Sequence, residues 1–106
     1  MYPKFYHYPA LFYFDEDGIS IEFPDLPGCL PCAQTEEKAF ESAKEALGIH
    51  LYGMEKDGDS IPAPSPVSSL HPEEGGTLVM VEVFMPPLRE YQNNKAVKKL
   101  SPTPHS

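Results

Sequence analysis

The sequence predicts an α+β fold in two layers, an antiparallel β-meander with one covering helix in the order β-β-β-α-β. Three observations carry this. Two strand-like runs meet at Asp17-Gly18, one stretch of helical periodicity lies between Thr35 and Asp57, and one nearly continuous apolar run spans Leu78 to Met85. A single amphipathic helix needs one apolar sheet face to bury its stripe, and that makes two layers.

Pro9-Ala10-Leu11-Phe12-Tyr13-Phe14 is rich in strand-favouring aromatic residues and leads into Asp15-Glu16-Asp17-Gly18, which ends in the Asp-Gly pair that hairpin turns favour. Ile19-Ser20-Ile21-Glu22-Phe23 then alternates, which puts Ile19, Ile21 and Phe23 on one face. Pro24-Asp25-Leu26-Pro27-Gly28 cannot continue a strand, because its two prolines lack an amide proton. A short third strand is expected from Cys29 to Ala33.

Thr35 is a favourable N-cap, and Glu36 and Glu37 sit where a helix dipole favours negative charge. Phe40, Ala43, Leu47, Leu51 and Met54 follow at intervals of three or four and form the expected core stripe. Gly48 weakens the middle of this helix by about 1 kcal/mol relative to alanine, so the helix depends on packing. Gly58 is the expected stop. Residues 59–76 hold Pro62, Pro64, Pro66, Pro72, Gly75 and Gly76, a loop composition read as a mobile connector or, alternatively, a partner-contacting arm.

Leu78 to Met85 is apolar enough for an interior strand or a dimer edge, and Pro86-Pro87 ends it. A short helix is possible from residue 88. Residues 1–90 are thus expected to form one α+β domain, and residues 91–106 a basic, largely disordered tail ending in Ser101-Pro102-Thr103-Pro104-His105-Ser106.

Charge divides the same way. Residues 1–90 carry a formal −11, whereas Lys95, Lys98 and Lys99 make the tail +3. Nucleic-acid affinity comes largely from Lys and Arg, so an acidic body fits a cationic protein partner better than DNA or RNA. No apolar stretch approaches the roughly 20 residues needed to cross a bilayer, and the N-terminus lacks the features of a signal peptide. The protein is expected in the cytoplasm with Cys29 and Cys32 reduced. On the outer side of the helix, Ile49 and Tyr52 point away from the core stripe near Glu41 and Glu45. Apolar groups ringed by acid make these four the candidate partner-binding residues.

Catalytic chemistry finds little support. Cys29-Leu30-Pro31-Cys32 has the spacing of thiol oxidoreductases, but it follows a hairpin and precedes the N-cap by three residues instead of opening a helix. One cysteine pair with scattered His7, His50, His71 and His105 cannot supply a four-ligand zinc site. Asp15, Asp17, Glu22 and Asp25 are explained by a turn, a solvent face and a bend, which leaves no cluster for metal-dependent nuclease chemistry. No cofactor is expected.

Tyr8-Pro9-Ala10-Leu11-Phe12, Asp15-Glu16-Asp17-Gly18 and above all Phe23-Pro24-Asp25-Leu26-Pro27-Gly28-Cys29 resemble the N-terminal signature of HicB-like antitoxins. Thr35-Glu36-Glu37-Lys38-Ala39 and Gly58-Asp59-Ser60-Ile61-Pro62-Ala63-Pro64-Ser65 are similar to later pieces of that family, so the likeness covers roughly residues 5–100. The resemblance implies a partial RNase H-like domain without working nuclease residues. It also implies a partner, a small basic HicA toxin that cleaves mRNA with a catalytic histidine. Pro24, Asp25, Leu26, Pro27, Gly28 and Cys29 are then mainly structural.

Relatives commonly continue into a DNA-binding helix-turn-helix or ribbon-helix-helix where this sequence reads Leu100-Ser101-Pro102, so no specific promoter binding is expected. The leading reading is a non-catalytic inhibitor of such a toxin. A solitary oligomeric domain and an RNase H-like nuclease or RNA-binding protein are the alternatives. Self-association is expected, because Leu78 to Met85 is too apolar for an open edge.

Overall fold

The computed structural model describes residues 2–100, with side chains described through Asn94. Its elements are β1 (Phe5–Asp15), β2 (Gly18–Glu22), β3 (Cys32–Ala33), α1 (Glu36–Asp57), a 3-10 turn at Val67–Ser69, β4 (Gly76–Phe84) and α2 (Met85–Leu100). The four strands form one antiparallel sheet in the order β3-β2-β1-β4, with α1 against one face. The α+β arrangement is the expected one, with a second helix added.

Strand β1 is nearly twice as long as its local signal. It pairs with β2 only from Leu11↔Glu22 to Asp15↔Gly18, but with β4 from Phe5↔Phe84 to Tyr13↔Gly76. Residues 5–8 are therefore strand because of a partner far along the chain. Pro9 falls beyond the β2 ladder. At the hairpin, Glu16 and Asp17 keep negative φ while Gly18 takes φ 138°, and the Asp17 amide donates to the Asp15 carboxylate at 2.9 Å. An alanine Cβ at Gly18 would lie 2.8 Å from the Ala33 carbonyl oxygen, so both φ and space require glycine there.

Alternation turns Tyr6, Tyr8, Ala10 and Phe12 of β1 toward α1, joined by Ile19, Ile21 and Phe23 and by Val81 and Val83. Thr35 caps α1, accepting from the Lys38 amide at 3.2 Å, and Gly58 ends it at φ 73°. Ala39, Ala43, Leu47 and Leu51 are fully buried, while Met54 is only partly buried. Phe40, expected in the core, is half exposed. Its ring lies 5.4 Å from that of Phe12 at the end of the layer.

Strand β3 keeps two of its five expected residues. Two successive tight turns, Leu26 N to Phe23 O (2.9 Å) and Cys29 N to Leu26 O (3.1 Å), hold the chain out of the sheet until the Ile21 amide reaches Pro31 O at 2.9 Å. Strand β4 resolves to the sheet edge, beside β1 alone.

The proline-rich connector has a definite path. Helix α1 ends near Tyr6, whereas β4 begins opposite Tyr13, so the chain climbs the length of the nine-residue β4 ladder, roughly 25–30 Å. It is tied down on the way. Tyr8 donates its hydroxyl to the Pro62 carbonyl, and both the amide and hydroxyl of Ser65 donate to Asp25.

Pro86 and Pro87 end β4 as expected but also open α2, since first-turn amides have no intrahelical partner to lose. Leu88 packs onto α1 at Gly48. Helix α2 crosses the boundary expected at residue 90 and continues to Leu100. The expected disorder of residues 101–106 lies outside the described residues.

Candidate partner-binding surface

The run Pro24 to Cys29 forms a knuckle at the end of β2. Its double turn drives Leu26 and Cys29 into the core, where they are 1% and 4% exposed. Asp25, immediately before Leu26, accepts from the Ser65 amide at 2.9 Å and from the Ser65 hydroxyl. The residues that carry the family likeness thus have a structural task, joining the sheet to the return loop.

Beside this knuckle, α1 leaves an open groove. One hollow of about 640 Å³ is lined by Asp25, Leu26, Ile49, His50, Gly53, Met54, Asp57, Asp59 and Pro62 among others. A second of about 380 Å³, between Gly28-Cys29-Leu30-Pro31 and α1, shares Ile49 and His50 with it. The two are one trough, apolar along its length and carboxylate-rich at the C-terminal end of α1.

The four sequence-predicted contact residues do not share one surface. Ile49, 45% exposed, lies in the trough. Glu41 and Glu45 line a different hollow of about 400 Å³ with Lys44, Val83 and Leu88, on the flank facing β4 and α2. Tyr52 is partly buried, packed against the core cluster, with the Lys56 ammonium 6.0 Å from its ring centre. The trough escaped the sequence reading because its far wall is the knuckle, 20 or more residues from Ile49 in sequence.

The residues weighed for catalysis are engaged elsewhere in the described structure. Among the described residues no group of three or more His, Cys, Asp or Glu is placed to hold a metal ion. Asp15 and Asp17 belong to the hairpin turn, Glu22 lies on the exposed sheet face and Asp25 is engaged by Ser65. Both cysteines are free thiols, Cys29 buried and Cys32 exposed. Burial pushes the Cys29 thiol up to about 11, the opposite of what an attacking thiolate needs.

Two phenols move the same way. Tyr6 is raised by burial, then by its hydrogen bond to Glu55 and that carboxylate's charge, and Tyr8 is raised by burial and by the charge of Asp25. A raised acid stays protonated in the fold after the unfolded chain has released its proton. Its contribution is therefore complete below the unfolded value and lost as pH rises through the folded one. Unfolding free energy in urea should hold level up to about pH 8.5, then fall, first through Cys29 and beyond about pH 10 through the tyrosines as well. Cys29→Ala should remove the first part of the decline. A level profile to about pH 11 would contradict this.

A part-buried ion pair between distant residues has no signal in the local pattern. The Glu55 carboxylate accepts from Arg89 Nε at 3.0 Å and Nη2 at 2.8 Å and from the Tyr6 hydroxyl at 2.8 Å, joining β1, α1 and α2. Arg89 also donates to the Pro3 carbonyl.

Comparison with known proteins places this geometry. A family model described as the HicB-like antitoxin of bacterial toxin-antitoxin systems matches residues 8–98. The chain is 38% identical to antitoxin HicB 2 of Photorhabdus laumondii over 58 residues, covering 55% of this chain and 42% of that protein. It is 37% identical to antitoxin HicB of Escherichia coli K12 over 54 residues, covering 51% and 39%. A protein of Haemophilus phage HP1, 35% identical over 60 residues, is matched over 57% of this chain and 45% of its own length. The matched segments thus span less than half of these relatives.

Among solved structures, a HicA3 and HicB3 toxin-antitoxin complex aligns at TM-score 0.61 and 27% identity over 74% of this chain and 98% of that chain. The N-terminal domain of Burkholderia pseudomallei antitoxin HicB aligns at TM-score 0.62 and 23% identity, over 72% and 95%, and shares the fold. With the family pattern matched across nearly the whole described chain, this chain belongs to the HicB-like antitoxin family.

Proposed function

We propose that this chain is a non-catalytic antitoxin that binds and silences a small basic toxin of the HicA type, acting in the cytoplasm where such a toxin meets mRNA. The observation that supports this best is the alignment to a chain of a HicA–HicB complex over nearly that chain's full length. The formal −11 of residues 1–90 suits a cationic partner and argues against the nuclease or RNA-binding alternative.

Self-association is part of the reading. Among the described residues no strand pairs with the outer edge of β4, and of the features that usually protect an edge β4 carries one charge, Glu82, and no lysine or proline. Met80 and Phe84 are about half exposed along it, the latter with its ring 4.8 Å from Phe5. A second copy paired along β4 would cover both the edge and these side chains. A solitary oligomeric domain without a toxin would share this feature and lack the next.

The test is RNA cleavage by a purified HicA-type toxin titrated with this chain. Cleavage should stop near one equivalent, with a complex whose sedimented mass contains two copies of each protein, and Met80→Lys should halve that mass. Cleavage that continues at large excess would defeat the antitoxin reading. Metal-dependent RNA cleavage by this chain alone would revive the nuclease.

A further inference from the structure

We propose that the trough beside α1 is the seat of the toxin partner, which inserts a lysine or arginine between Asp57 and Asp59 and lays an adjacent apolar residue on Ile49 and Leu30. This rests on the antitoxin reading and deepens it by naming the surface and its polarity.

The trough is suited to such an occupant in shape and chemistry. Leu30 and Ile49 are 67% and 45% exposed, and both line it, so exposed apolar surface is gathered in one concavity. Among the described residues no lysine or arginine lines either hollow. Asp25 is engaged by Ser65, which leaves Asp57 and Asp59, both exposed, as the charges available to a partner.

The position of those charges adds an independent argument. Asp57 is the last residue of α1 and Asp59 follows the Gly58 cap, so both stand at the helix end whose dipole disfavours negative charge. Carboxylates there work against the helix. A cation from outside would satisfy both the carboxylates and the dipole. A second copy is a poorer occupant, because the body of another copy brings mostly negative charge to a negative site.

Gly53 makes the proposal testable without damage to the fold. A Cβ built there meets nothing within 4 Å, so the floor of the trough is open at this point. Leucine is a far better helix residue than glycine. Gly53→Leu should therefore fill the trough while raising the thermal midpoint.

Calorimetric titration of the full chain with a HicA-type toxin whose catalytic histidine is replaced by alanine is the measurement, with sedimentation of each variant alone beside it. Gly53→Leu and the pair Asp57→Lys with Asp59→Lys should each weaken binding about 100-fold. Thermal midpoints should be unchanged or higher. Glu73→Lys with Glu74→Lys makes the same charge change elsewhere and should stay within about threefold of wild type.

If wild type binds and the trough variants bind equally well, the trough is overturned and the antitoxin reading stands. If the trough variants alter self-association while toxin binding is unchanged, the occupant is a second copy and the proposal fails. A wild-type chain that does not bind the toxin overturns both.

Discussion

Arg89→Ala is expected to lower the unfolding free energy by about 3 kcal/mol and to loosen α2 from the body of the domain, a greater loss than Glu55→Ala produces. The asymmetry follows from which charge is left behind. The Glu55 side chain is 6% exposed and that of Arg89 25%. Without Arg89, a nearly dry carboxylate keeps only the Tyr6 hydroxyl. Without Glu55, the guanidinium still reaches water and the Pro3 carbonyl, so Glu55→Ala should cost about half as much. For a domain of this size the larger loss corresponds to a fall in Tm of roughly 12 °C or more. Urea unfolding measures both variants, and amide exchange should show faster opening in α2 for Arg89→Ala. Equal losses would mean that burial of the carboxylate is not what makes the pair matter.

This pair also marks where sequence reading reaches its limit. Signals contained within a few residues were legible: the Asp17-Gly18 hairpin, the Thr35 cap, the Gly58 stop, and the buried stripe Ala43, Leu47 and Leu51. Signals shared between distant residues were not. Residues 5–8 become strand only because β4 lies beside them, and β3 is short because the Pro24–Cys29 knuckle takes its first residues.

The surroundings of the candidate contact residues depend on distant partners in the same way. On a helical wheel, which treats α1 as isolated, Tyr52 is as free as Ile49. In the fold Tyr52 lies partly buried against the core cluster, while the 25–31 segment stands off from Ile49 and leaves a trough. The acidic character of the body is legible in the composition. Its concentration at Asp57 and Asp59 beside an apolar trough required the knuckle to be in place.

Gly48 and Gly53 lie in one helix and look alike in the sequence, yet opposite results are expected from them. A Cβ at Gly48 would lie 2.5 Å from Leu88 Cδ1 and 3.1 Å from Val83 Cγ2, because α2 and β4 close on α1 at this point. Gly48→Ala should leave stability within about 1 kcal/mol of wild type, the gain in helix propensity being offset by the displacement of Leu88, whose tip can swing aside. Gly48→Leu adds three more heavy atoms where none fit, and should cost about 3 kcal/mol by forcing α2 away.

At Gly53, where nothing lies within 4 Å, alanine should instead stabilise by up to about 1 kcal/mol. Urea unfolding of the three variants under one condition tests the contrast. A Gly48→Leu variant as stable as wild type would mean that α2 does not rest on α1 in solution, and the loosening of α2 expected from Arg89→Ala would lose its basis with it.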